Sequence, residues 1–186
     1  DYDYQITYNG LLALPVNAGS YAVKVDVTQK NYTGSASETL TIATCKATIS
    51  ADNKTSVYGD SLKTLTYTLK NVVKTDTIDV ELSATILNQV GSYEIAIEPV
   101  ENSNYDFTYV NALYEVTPRK ITVCANNQSK IYGEQDPLLD YFVEEGNLVN
   151  SDVLSGNLER EQGEDAGQYS ILQGTLKNGN YDIEFV

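Results

Sequence analysis

The chain has 186 residues, 41% of them apolar, with a formal net charge of −14, no histidine and two cysteines. A field of that sign repels phosphate backbones and anionic lipid and so disfavours nucleic-acid and membrane-surface roles, while the missing imidazole excludes Ser-His-Asp and Cys-His catalysis and His-ligated zinc or iron. No stretch approaches the ~18 consecutive apolar residues of a membrane span, and the opening Asp1-Tyr2-Asp3-Tyr4 is no signal peptide, so no membrane insertion is expected of these residues.

Taken in chain order, the elements read as strands. Tyr21, Val23, Val25 and Val27 alternate with small or polar residues, as do Leu65, Tyr67 and Leu69, then Tyr93, Ile95 and Ile97, then Tyr105, Phe107 and Tyr109, and finally Tyr169 and Ile171. Period-2 alternation is the mark of a strand with one face in a core and one in water. Thr, Val, Ile and fifteen Tyr suit such half-buried pleated surfaces. Turn signals fall between the runs at Tyr58-Gly59-Asp60, Asn71, Asn88, Asn102-Ser103-Asn104 and Lys177-Asn178-Gly179-Asn180. Short strands at this spacing predict an all-β chain built as an antiparallel sandwich.

The same text also recurs. Lys46-Ala47-Thr48-Ile49 through Val57-Tyr58-Gly59 returns 74 residues later as Lys120-Ile121-Thr122-Val123 through Ile131-Tyr132-Gly133. A Gly-x-Tyr landmark occurs at Gly19-Ser20-Tyr21, Gly91-Ser92-Tyr93 and Gly167-Gln168-Tyr169, each followed by Asn-Tyr at Asn31-Tyr32, Asn104-Tyr105 and Asn180-Tyr181. Self-similarity at a fixed period marks a tandem array. Residues 46–119 form one complete repeat, 120–186 a repeat lacking its last strand, and 1–45 a partial or shortened one. The joints Thr44-Cys45-Lys46 and Thr117-Pro118-Arg119-Lys120 are terse. Pro118 fixes its own φ and biases Thr117 toward extension, which predicts a stiff joint and an elongated array. Gly91 and Gly167 precede an inward-phased tyrosine after a turn, where positive φ or close backbone approach would demand glycine.

Candidate chemistry is sparse. Cys45 and Cys124 occupy non-equivalent repeat positions a whole repeat apart, too far for a disulfide, and predict free thiols. Asp76 with Asp79, and Glu161, Glu164 and Asp165, are the carboxylates that would have to converge in an acid-base site; the simpler reading is solvated loop acids. The acids would suit Ca²⁺ best among cations, yet no Asp-x-Asp-x-Asp-Gly loop occurs. Tyr21, Tyr93 and Tyr169 share one inward phase, and Tyr58 and Tyr132 precede the same glycine. Such position-locked repetition points to core and corner packing with each phenol reaching a backbone partner, rather than to sugar stacking. Lys46 and Lys120 read as first-strand lysines at a solvated edge, ahead of an isopeptide role. No catalytic, cofactor-binding or metal-ligating residue is assigned, and no enzyme is expected.

The repeat itself carries a resemblance. Lys120-x-Thr122-Val123-x-Ala125-x-Asn127-x-Ser129-Lys130-x-Tyr132-Gly133 leads to Asp136-Pro137 and Leu139-x-Tyr141. Gly146-Asn147-Leu148-Val149-Asn150-x-Asp152-x-Leu154-x-Gly156 follows, then Gly163-x-x-Ala166-Gly167-x-Tyr169-x-Ile171, Gly174-Thr175-Leu176 and Asn180-Tyr181. This series resembles the MBG-type repeat of bacterial cell-surface proteins. Tyr8-Asn9-Gly10, Pro15-x-x-Ala18-Gly19-x-Tyr21 and Asn31-Tyr32-x-Gly34 resemble the shorter Ig-like variant. The second repeat departs from the pattern, with no Asp-Pro after Asp60 and with Val72-Val73-Lys74 in place of Leu-Val-Asn. The resemblance implies small Ig-like β-sandwich modules of exported, extracellular adhesins or stalk proteins, with no catalytic residues. It implies a spacer or adhesive role; the alternative is that each module binds host glycoprotein, mucin or polysaccharide, besides its neighbouring repeats.

Overall fold

A computed structural model describes residues 3–186. Among them there is no helix, and fifteen strands follow one another. The first stretch carries β1 (Tyr4–Tyr8), β2 (Gly19–Val27) and β3 (Ser35–Ile42). The second carries β4 (Cys45–Ala51), β5 (Lys54–Val57), β6 (Tyr67–Lys70), β7 (Leu82–Ser83), β8 (Gly91–Ile97), β9 (Tyr105–Val110) and β10 (Ala112–Thr117). The third carries β11 (Arg119–Ala125), β12 (Tyr141–Glu145), β13 (Glu159–Arg160), β14 (Ile171–Leu172) and β15 (Tyr181–Phe185). The all-β expectation holds, and the alternating runs at 21–27, 93–97 and 105–109 lie in strands, whereas Leu65 falls before β6 and Tyr169 before β14.

The chain divides into two compact units, and residues 46–119 contribute to both. The first unit comprises residues 1–52, 66–83 and 96–112. Here β1, β2 and β3 form an antiparallel meander, with Tyr4 opposite Val27 and Gly19 opposite Ile42. Asn9-Gly10 makes its first turn with φ of 48° and 82°, the pair of left-handed residues a tight hairpin demands and the reason Asn-Gly serves there. Next, β4 runs between β6, antiparallel, and β9, parallel, with Cys45 opposite Tyr105 and Ser50 opposite Val110. The alternate residues Ala47 and Ile49 of β4 are buried with Ile78, Ile97 and Tyr105, and Val72, Leu82, Val100 and Phe107 pack around them.

The second unit comprises residues 53–65, 84–95 and 113–186. Parallel β5 and β10 pair with Tyr114 opposite Lys54, and Ile95, Tyr114 and Val116 are buried. Then β11 runs between antiparallel β12 and parallel β15, with Arg119 opposite Tyr181. Ile121, Val123, Leu154, Leu158 and Leu176 form the buried set around it.

Among the described residues β4 pairs with β9, β5 with β10 and β11 with β15 in parallel, which corrects the antiparallel expectation. Alternation tells which face of a strand is buried and is silent on strand direction; direction is chosen by the partner that arrives from distant sequence. A second correction follows. Lys46 and Lys120 lie on β4 and β11, which are central and not edge strands, although both side chains are exposed.

Candidate functional site

The Asn-Tyr tyrosines Tyr105 and Tyr181 begin β9 and β15 with their rings buried, and a buried phenol must still satisfy its hydroxyl. In the first compact unit Tyr105, 7% exposed, donates from its phenol to Asp76 Oδ2 at 2.6 Å and accepts the Val73 N–H at 3.0 Å. Seventy-six residues on, in the second unit, Tyr181 donates to Asp152 Oδ2 at 2.9 Å and accepts the Val149 N–H at 2.8 Å. In both, the aspartate N–H closes a turn onto the valine carbonyl at 2.9 Å. The phenol thus pins a turn that would otherwise present orphan polar groups to the core. Both phenols are held above the usual tyrosine pKa: Tyr105 chiefly because its hydrogen bond to Asp76 favours the neutral form, Tyr181 chiefly because of burial.

A second tyrosine joins the second of these sites. Tyr58, from the Tyr-Gly-x turn of the preceding repeat, donates to the same Asp152 Oδ2 at 2.9 Å and accepts from Asn150 Nδ2 at 3.2 Å. Its ring meets that of Tyr181 edge to face, with centroids 5.7 Å apart, and is only 3% exposed. Gly59, at φ 81°, lies so close to Val149 that a Cβ there would come within 2.5 Å of Val149 Cγ2. From the other side Arg119 Nε donates to the Tyr58 carbonyl at 2.8 Å, its guanidinium pairs with Asp60, and the Tyr58 N–H donates to the Thr117 carbonyl. The Tyr58-Gly59-Asp60 turn is clasped on two sides by residues of the next repeat and its joint.

The Asn-Tyr asparagine supplies a further fastening, and it does so twice. Asn104 Oδ1 accepts the Ala18 N–H at 2.8 Å, and Asn180 Oδ1 accepts the Val90 N–H at 3.1 Å; Ala18 and Val90 each precede the Gly-x-Tyr landmark of the preceding repeat. The carbonyls of Asn104 and Asn180 take the N–H groups of Cys45 and Arg119, where the first strands begin. Asn17 Oδ1 also accepts from Asn104 Nδ2 at 3.1 Å. The landmarks that define the period are the two halves of one joint. Sequence reading assigned the tyrosines to corner packing and missed the joint; the signal was present in the linked recurrence of Tyr-Gly, Asn-Tyr and Val-x-x-Asp.

Tyr21, Tyr93 and Tyr169 do what repetition implied, whereas Tyr132 does not pack as expected: its ring is exposed. Tyr21, Tyr93 and Tyr169 are half-buried, and each donates to the carbonyl four residues back: Asn17 at 2.9 Å, Gln89 at 2.8 Å and Asp165 at 2.9 Å. Gly91 makes room for this, since a Cβ there would sit 3.3 Å from the Tyr93 hydroxyl. The two reasons expected for Gly91 and Gly167 do not hold: neither has a positive φ, the neighbour of Gly91 is the Tyr93 side chain and not backbone, and a Cβ at Gly167 would come no nearer than 4.0 Å to Tyr169.

Of the candidate carboxylates, Asp76, Glu161 and Glu164 are engaged in hydrogen bonds or ion pairs. Asp76 serves Tyr105, while Asp79 lies with Glu81, Glu98 and Glu101 beside a shallow acidic recess. Glu161 accepts the Ser170 N–H, and Glu164 belongs to an ion cluster the sequence did not announce. In that cluster Arg160 grips Asp136 through both carboxylate oxygens at 3.0 and 3.1 Å, reaches Glu164 at 3.0 Å, and lies over the Tyr169 ring; Lys130 pairs with Asp136 at 2.7 Å and Glu164 at 3.3 Å. The Arg160 hydrogen bonds, seconded by Lys130, hold both carboxyls below their ordinary range. Cys45 and Cys124 are free thiols, and the Cys124 thiol is pushed up by its hydrogen bond to Glu144 and by burial. Among the described residues no three His, Cys, Asp or Glu side chains are grouped to hold a metal ion.

No curated protein and no solved structure matches the chain. Family profiles do. One described as MBG domain (YGX type) matches residues 47–115 and again 121–186, and one described as MBG domain matches residues 1–46. The Tyr58-Gly59 and Tyr132-Gly133 turns lie within the two YGX-type matches, which with the third match span nearly the whole sequence: the chain belongs to the MBG domain family.

Proposed function

We propose that these repeats are non-catalytic stalk modules of an exported bacterial surface protein, small Ig-like sandwiches set in an elongated array that carries some other domain outward. The observation that supports this best is the joint at Asp152, where two phenols from successive repeats share one carboxylate and bury their rings together. Buried, hydrogen-bonded joints of three or four residues resist bending, and like charge along the chain disfavours folding back. Binding of host glycoprotein, mucin or polysaccharide by each repeat would call for an aromatic exposed at the same position in consecutive repeats. Tyr109 and Tyr132 are exposed, but their counterparts Phe185 and Tyr58 are half-buried and buried. Small-angle scattering should give a radius of gyration well above the ~16 Å of a compact globule of this length. A compact value removes the stalk reading, and mucin or glycan-array binding by the full chain moves function into the repeats themselves.

A further inference from the structure

The first two strands of the complete repeat pair in parallel with its last two, one pair in each compact unit. In the first unit β4 faces β9 from Cys45 opposite Tyr105 to Ser50 opposite Val110. In the second, β5 faces β10 from Lys54 opposite Tyr114 to Val57 opposite Thr117, so that in both pairs a residue meets the one 60 positions later. Asp52-Asn53 link β4 to β5, and Asn111 links β9 to β10. Bonds outside the ladders fasten the ends of these pairs. The Cys45 N–H donates to the Asn104 carbonyl at 2.8 Å, the Leu113 N–H to Asn53 Oδ1 at 2.8 Å, the Tyr58 N–H to the Thr117 carbonyl at 2.9 Å and the Thr117 hydroxyl to the Ser56 carbonyl at 3.3 Å. The third repeat opens likewise, with β11 parallel to β15 and the Arg119 N–H on the Asn180 carbonyl at 3.0 Å. Parallel pairing is slightly weaker per residue than antiparallel pairing and closes a long loop where a two-residue hairpin would serve. Stability alone does not favour the arrangement.

What the arrangement supplies is direction. The chain enters the repeat at Cys45 and leaves it at Thr117. In a parallel pair the entering end of one strand and the leaving end of the other lie at opposite ends, so tension between them runs along the strands and across the evenly spaced hydrogen bonds. Those bonds share the load and must fail together. In a hairpin, or in any pair pulled apart from one end, they fail one at a time. We infer that the β4–β9 and β5–β10 pairs are each a shear clamp, and that they make the complete repeat a force-bearing link against tension applied through residues 44–46 and 117–120. This rests on the stalk reading and deepens it with a mechanical function: the repeat holds against pulling as well as setting a distance. Asn53 is the side-chain tie of the second clamp, because its amide oxygen accepts a backbone N–H of β10 just ahead of β5.

Single-molecule stretching of the full chain tests this, with handles on cysteines introduced at the exposed residues Thr44, Ser103 and Glu115 in a Cys45→Ser, Cys124→Ser background. Thr44→Cys with Glu115→Cys pulls the pairs along their strands. Thr44→Cys with Ser103→Cys pulls β4 and β9 apart from one end. At one pulling speed the first geometry should need a peak force at least about twofold higher, since forced unfolding is governed by the unfolding rate and sharing the load slows it. Its event is marked by the release of roughly 200 Å of chain. Asn53→Ala should lower the peak in the first geometry alone, because peeling from the Cys45 end passes its barrier before Asn53 is reached. Asn53→Asp, which keeps the acceptor, should retain the full force. Circular dichroism first establishes that each variant keeps the parent's β spectrum. Equal peaks in the two geometries, or an Asn53→Ala loss common to both, would overturn the clamp and leave the stalk standing. A compact scattering radius with the force difference intact would sink the stalk and leave the clamp.

Discussion

Alanine at Gly59 and alanine at Gly133 should differ in effect by the weight of the joint. Both positions have φ near 85°, so either alanine meets the same backbone penalty, ~1–2 kcal/mol for a left-handed residue with a Cβ. At Gly133 nothing more is lost, because the new methyl points into open space. At Gly59 it would lie 2.5 Å from Val149 Cγ2 and 3.1 Å from Val149 Cβ, and a β-branched side chain cannot swing its stem away. Overpacking of this kind adds ~1–3 kcal/mol, for a total of ~2–5 kcal/mol. In a cooperative unit of roughly 60–100 residues each kcal/mol lowers the melting midpoint by ~4–8 °C, so Gly59→Ala should melt at least ~4 °C below Gly133→Ala. Thermal unfolding followed by circular dichroism measures both. Val149→Ala in the Gly59→Ala background should recover part of the loss, a coupling a double-mutant cycle isolates. Equal melting of the two single variants, or strict additivity with Val149→Ala, would refute the contact as the cause.

Asp152 takes two phenol donors and Asp76 one, so at ~1.5–3 kcal/mol per charged hydrogen bond Asp152→Ala should cost ~3–6 kcal/mol and Asp76→Ala about half as much; equal losses in urea unfolding would show the Tyr58 bond to be silent. Asp136 and Glu164 have folded pKa values below their unfolded ones, so their stabilisation is complete above ~pH 4.5 and fades as pH falls through the lowered values. Acid unfolding of the full chain should accordingly flatten in Arg160→Gln and weaken in salt, which screens these partly exposed groups; an unchanged acid limb would remove the cluster from the account. Tyr105 and Tyr181 have raised phenol pKa values, so the stability they contribute is whole below ~pH 10 and is lost as pH rises through the folded values. An ultraviolet titration should show a late-ionising fraction that Tyr105→Phe and Tyr181→Phe each reduce, and a late fraction unchanged by both variants would contradict the assignment.

Local chemistry was legible in the sequence wherever a residue's own neighbours decide its state. Asn71 announces a turn because asparagine tolerates the left-handed backbone, and it has a φ of 61°. Tyr93, Ile95 and Ile97 announce a strand because alternation places them on one face. Strand direction was not legible. Cys45 to Ala51 reads the same whether Tyr105 to Val110 runs beside it parallel or antiparallel, and only the path of the chain between them chooses. The joint was hidden for the same reason. Tyr58 and Tyr132 sit in the same motif with the same turn, yet one ring is buried and the other stands in solvent. The difference lies in Asp152, 94 residues from Tyr58, which the fold carries to within 2.9 Å of its hydroxyl. Burial belongs to the partner as much as to the residue, so tertiary structure alone could decide which copy of an identical motif was already engaged.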